Sequence, residues 1–93
     1  MNFYAPQTPQ FIKQQREEAQ KLKKSSWWQQ KLQEGFCYYC EKKFTSQELT
    51  MDHKVPIARG GVSSRNNIVA CCKDCNSKKQ SMTSVDFIFE GKE

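Results

Sequence analysis

The chain has 93 residues, enough for one domain and too few for two, and a core this small needs an added constraint to stay folded. Its longest apolar run, Ile68 to Cys72, cannot cross a bilayer, and the polar start from Met1 to Gln10 lacks the basic-then-apolar layout of a secretory signal. A cytoplasmic protein with reduced thiols and no membrane contact is therefore the expectation. Of the net charge of +5, all is accounted for between Lys54 and Lys79, where Lys54, Arg59, Arg65, Lys73, Lys78 and Lys79 are opposed only by Asp74. Such a window suits a polyanion, whose counterions it would release, although charge alone fits a solubilising surface equally well.

In chain order, Thr8 before Pro9 reads as an N-cap with proline at the first helical position. Phe11, Ile12, Ala19 and Leu22 then share one face, predicting a helix over Pro9 to Lys24. Ser26 with Gln29 resembles a capping box that opens a second helix through Trp27, Trp28 and Leu32 to Gly35. Together residues 1–35 form a helical arm expected to pack on a domain spanning 36–93, and the paired tryptophans read as packing residues rather than base-stacking ones. A tight turn around the first cysteine pair occupies Phe36 to Phe44. A strand follows from Leu49 to Val55, then a loop at Gly60-Gly61, a second strand from Asn67 to Cys71 and a lysine-rich surface helix from Asp74 to Gln80. Ser84 is the expected N-cap of a last helix through Phe87, Ile88 and Phe89, ended by Gly91.

Cys37/Cys40 and Cys72/Cys75 are two pairs of identical CxxC spacing. Each such turn presents two thiolates on one side, and two turns can meet in the tetrahedral sulfur geometry of zinc; this outweighs the alternative of buried thiols that bind nothing. Four sulfurs leave no open coordination position, so the zinc would be structural and any chemistry must lie elsewhere. Cys71, the leftover thiol, reads as a small core residue.

Between the pairs lie Met51-Asp52-His53-Lys54-Val55-Pro56, Arg59-Gly60-Gly61 and Asn67-Ile68-Val69, and the second pair is followed by Asn76 and then Lys79. Singly these residues have ordinary readings. His53 could be a surface residue or a zinc ligand, Asp52 a strand-end charge, and Asn67 and Asn76 turn or cap residues. Their joint order resembles the His-Asn-His (HNH) endonuclease family in its four-cysteine zinc form, over roughly Phe36 to Gln80. The resemblance implies an α+β chain: a small zinc-stapled ββα-metal domain, here with the N-terminal helical arm and a short C-terminal helix.

By the same resemblance His53 is the general base that activates water. Asp52 and Asn76 hold a catalytic divalent cation such as Mg2+ or Mn2+, with Asn76 standing at the final His of the family name, and Asn67 holds the loop that orients His53. Phosphodiester hydrolysis independently calls for these types: an imidazole that accepts a proton near neutrality and a hard cation on oxygen ligands. Lys54, Arg59, Arg65, Lys78 and Lys79 are the candidate DNA phosphate contacts, Lys79 occupying the family's lysine position. The leading expectation is thus a metal-dependent DNA endonuclease, against an inactive zinc-stapled nucleic-acid-binding module and, last, a zinc-mediated protein-interaction module. One site cuts one strand at a time, so cleavage of both would need a homodimer, a second encounter or a partner.

Overall fold

The computed structural model describes residues 7–90. Helix α1, Pro9–Lys23, begins as its sequence dictates: the Thr8 hydroxyl accepts the Phe11 N–H at 3.1 Å and Pro9 stands at the first helical position, where its missing N–H is not needed. Helix α2, Ser26–Glu34, is capped one residue earlier than expected. Ser25, with extended backbone, accepts the Trp28 N–H at 3.2 Å, while Gln29 reaches back to the carbonyl of Lys23 at 3.0 Å instead of closing a box with Ser26. Gly35 ends the helix with φ +79°, a left-handed conformation that glycine adopts without cost.

Two strands, β1 (Leu49–His53) and β2 (Ile68–Cys72), pair antiparallel with Leu49 opposite Cys72 and His53 opposite Ile68. The expected first strand ran on to Val55, but the ladder stops at His53 because Asn67 takes over. Its carbonyl accepts the Lys54 N–H at 2.8 Å and its side-chain Oδ1 accepts the Val55 N–H at 2.9 Å. Asn67 itself belongs to a 3-10 turn, Arg65–Asn67, so β2 starts and ends one residue later than the expected strand, Asn67 to Cys71, and coincides with the apolar run. Helix α3, Lys73–Lys79, follows β2 without a loop, and α4, Ser84–Glu90, closes the described chain. Thr83, not Ser84, caps α4: its hydroxyl accepts the Asp86 N–H at 3.2 Å. The expected stop at Gly91 lies outside the described residues.

The period-2 alternation of the strands sorts the core into two clusters. Leu49 and Met51 of β1, with Ile68 and Ala70 of β2, face the helical arm and pack on Trp28, Leu22, Trp27 and Leu32. The packing role expected for the tryptophans thus fits, with Trp28 buried. Cys71 on the other face and Cys72 at the strand's end, where α3 begins, join Cys37, Cys75 and Phe87, flanked by Tyr39, Phe44 and Met82. A bridge between Phe36 and Lys43 folds the first cysteine turn, and the Tyr38 N–H donates to the carbonyl of Ala70 at 2.9 Å, tying that turn to β2. No helix among the described residues is long and apolar enough to cross a membrane.

Candidate active site

The four cysteines of the two CxxC turns converge. Their Sγ atoms all lie within 4.8 Å of one another, with Cys40 and Cys72 at 4.0 Å, and none of the cysteines is in a disulfide. Zinc–sulfur bonds of about 2.3 Å place tetrahedral sulfurs ~3.8 Å apart, so the cluster fits a zinc ion with little adjustment. Cys72 sits at the junction of β2 and α3, where its sulfur accepts the Cys75 N–H at 3.4 Å and so caps the helix that carries its partner ligand. Cys71 is not among these four sulfurs; it is fully buried beside them, donating its S–H to the carbonyl of Cys72 at 3.3 Å. Burial pushes its thiol well above the ordinary value, in keeping with an inert core residue.

Asp52 and His53, adjacent in sequence, leave the end of β1 on opposite faces, and both line an open cavity of about 250 Å³ with Ile12, Arg16, Pro56 and Lys79. His53 Nε2 lies 2.9 Å from the hydroxyl of Ser63. Its position at the strand end is set by Asn67, which, besides its bond to the Val55 N–H, donates Nδ2 to the carbonyls of Val55 at 3.0 Å and Val62 at 2.9 Å. One amide thereby pins both ends of the Val55–Val62 loop. Gly61 makes this closure possible, since a Cβ there would stand 1.7 Å from the Val55 carbonyl oxygen. Burial lowers the His53 pKa from its ordinary value; the Asp52 carboxylate opposes the shift, and the charges of Lys79 and Lys23 add to it.

On the other face Asp52 is almost fully buried and doubly held. Tyr39 donates its hydroxyl to Oδ2 at 2.6 Å, and Lys79 Nζ stands 3.3 Å from Oδ1. Since the single phenolic proton goes to Asp52, the Ser84 hydroxyl, 2.6 Å from the Tyr39 oxygen, is the donor of that bond. Burial and the neighbouring Asp52 raise the Tyr39 pKa far above the usual phenol value, so it stays protonated. Asn76 lies on the same side of the sheet, its Nδ2 donating to Thr50 Oγ1 at 2.8 Å, two residues before Asp52 on β1.

Lys79 departs from its expected surface role. Its side chain is 1% exposed, and Nζ also donates to the carbonyl of His53 at 3.1 Å. The helix that carries it is polar and lysine-rich, which is why it reads as a solvated face. Yet Cys75 and Lys79, one turn apart, form its buried side. Breaking a buried ion pair by removing one partner costs about 3–5 kcal/mol, so Lys79→Met is expected to lose stability of that order in urea denaturation. An unchanged midpoint would mean that the ammonium faces water after all.

The other expected phosphate contacts are spread around the site. Lys54 Nζ lies over the Tyr38 ring at 5.2 Å, Arg65 over Trp27 at 5.7 Å, Arg59 pairs with Asp86 at 3.7 Å, and the exposed Lys78 pairs with Asp74 at 3.2 Å within α3. From the sequence alone Arg16, Tyr39 and Ser63 have no site role, and Ser84 reads only as a helix cap. For Arg16 a signal existed, as it follows Ile12 by one helical turn and both line the cavity beside His53. For the others, contacts across 10 to 48 positions left no local pattern.

An α+β chain with a four-cysteine cluster that could hold zinc beside a strand pair and a helix, and an Asp-His step at the strand's end, has the architecture of a small nuclease-type domain. A model of the HNH endonuclease family matches residues 37–90, more than half of the chain, and the protein belongs to that family. No curated protein is significantly similar to it in sequence.

Proposed function

We propose that the protein is a divalent-cation-dependent DNA endonuclease in which His53 is the general base. The observation that carries this reading is the placement of His53 beside Asp52 on one open cavity, with its ring held by Ser63 and its loop pinned by Asn67. A scissile phosphate in that cavity would meet the positive charge of Arg16, and His53 would take the proton of the attacking water.

Asp52 and Asn76 offer the oxygen donors that a hard cation prefers and stand on the same side of β1. Among the described residues no further carboxylate or histidine joins them in a cluster. A cation would have to share Asp52 with the Lys79 ammonium. The carboxylate has lone pairs for both, and the donor chemistry fits. When bound, such an ion supplies charge stabilisation to the phosphate and to the departing 3′ oxygen. The sulfur cluster, with all four positions filled by thiolates, has no place for water and is structural. Lys54, Arg59, Arg65 and Lys78 remain the phosphate contacts of this reading, and Arg16 replaces Lys79 among them.

Purified zinc-loaded protein should nick supercoiled plasmid when Mg2+ or Mn2+ is added and should not do so with zinc alone. Chelation should stop cleavage at concentrations that leave the fold intact. DNA binding without cleavage under every cation would favour an inactive binding module.

The direction of the His53 shift sets the pH dependence. A base works when unprotonated, and a lowered pKa keeps the ring neutral to lower pH than an ordinary imidazole. The acid limb of the cleavage rate is therefore expected below pH 6.5, the ordinary value. A limb above that value in a single-turnover pH profile would contradict the burial argument.

A further inference from the structure

We propose that Ser63, fixed by Gln15 of α1, is a positioning residue that holds the proton of His53 on Nε2 and leaves Nδ1 as the basic nitrogen. This rests on the reading of His53 as the base, but its geometry stands apart from that reading. The Ser63 hydroxyl has one proton. Its oxygen lies 2.6 Å from the carbonyl oxygen of Gln15, an atom that can only accept, so the proton points there. The same Ser63 oxygen lies 2.9 Å from His53 Nε2 and has only lone pairs left to offer. Nε2 must therefore carry hydrogen, and in a neutral ring the other nitrogen is then unprotonated. The opposite tautomer would set two lone pairs face to face.

Ser63 cannot easily turn away from this arrangement. Its own N–H donates to Gln15 Oε1 at 2.6 Å, so one buried glutamine grips the residue through both backbone and side chain. Gln15 lies on α1, ahead of residues 37–90 that the family model matches. The helical arm thus does more than cover Leu49, Ile68 and Ala70: it supplies the acceptor that decides which nitrogen of His53 takes a proton from water.

His53 is the only histidine, so a long-range proton–nitrogen correlation spectrum of the 15N-labelled, zinc-loaded full chain, recorded where the ring is neutral, reports this one imidazole. Wild type and Ser63→Thr should show a protonated, pyrrole-type Nε2 and a pyridine-type Nδ1. Ser63→Ala should show a mixed tautomer and cut plasmid about tenfold more slowly, the worth of one hydrogen bond, with unchanged zinc content and a melting temperature lowered by only several degrees. Gln15→Ala keeps the backbone carbonyl that takes the Ser63 proton and loses only the Oε1 acceptor of the Ser63 N–H, so it should keep the wild-type tautomer. A wild-type ring protonated on Nδ1 would overturn the proposal even if Ser63→Ala failed to fold. Wild-type tautomer and rate in Ser63→Ala, beside an inactive His53→Ala, would remove the relay and keep the base. A fully active His53→Ala would remove the base and the catalytic purpose of the relay together.

Discussion

Cys72→Ser is expected to abolish stoichiometric zinc binding and to lower the melting temperature by at least roughly 10–20 °C, with wild-type protein losing its fold on exhaustive zinc chelation. The described residues form two modest core clusters, and one of them is built around Cys37, Cys71, Cys72 and Cys75. Zinc binding contributes roughly 10–16 kcal/mol in small zinc peptides, comparable to the ~5–15 kcal/mol that separates folded from unfolded in an ordinary domain. Loss of a third of that free energy would already cost ~3–5 kcal/mol, and each kcal/mol moves the midpoint of a chain this size by about 4–8 °C. Cys72 is also the cap of α3, so its loss loosens the helix that presents Asn76 and Lys79. Cys71→Ala is the control: it removes a buried thiol that is not one of the four clustered sulfurs and should keep one zinc per chain. Elemental analysis and thermal melts of the two variants decide the matter. A zinc-free Cys72→Ser protein as stable as wild type would remove the metal from the account of the fold.

Legibility differed between parts of the chain, for physical reasons. The four-cysteine cluster could be read because each CxxC turn is local geometry and the two turns need only meet. Helix starts at Thr8-Pro9 and the helix end at Gly35 were readable for the same reason, since a cap acts within four residues. Strand ends were not, because β1 stops where the side chain of Asn67, twelve positions on, replaces the ladder. Serines that lay next to each other or next to threonine misplaced two caps, as Ser25 and Thr83 do the work expected of Ser26 and Ser84.

The site shows the same division. Asp52, His53, Asn67 and Asn76 stand in a recognisable order. The partners that hold them, Tyr39, Ser63, Gln15 and Ser84, are brought in by tertiary packing. Lys79 is the instructive case: a lysine in a lysine-rich helix reads as surface, and only the position of Asp52 under that helix turns it into a buried counter-ion.

His53→Ala is expected to abolish plasmid nicking while zinc content, melting temperature and salt-sensitive DNA binding stay near wild type. Removing a general base typically slows a reaction by about 10²–10⁴-fold, a loss obvious on a gel. The remaining properties should survive because His53 contributes little to them. Its ring makes one side-chain hydrogen bond, to Ser63, and the backbone carbonyl that receives Lys79 is kept in the variant. The four thiols able to hold a metal are elsewhere, and the proposed affinity for DNA would rest on lysine and arginine contacts to phosphates, which the substitution leaves in place. If the imidazole were a structural residue, activity would fall together with the melting temperature, and if it were a bystander nothing would change. Nicking at the wild-type rate by zinc-replete His53→Ala, purified free of other nucleases, would require another base, and no second histidine exists to supply it.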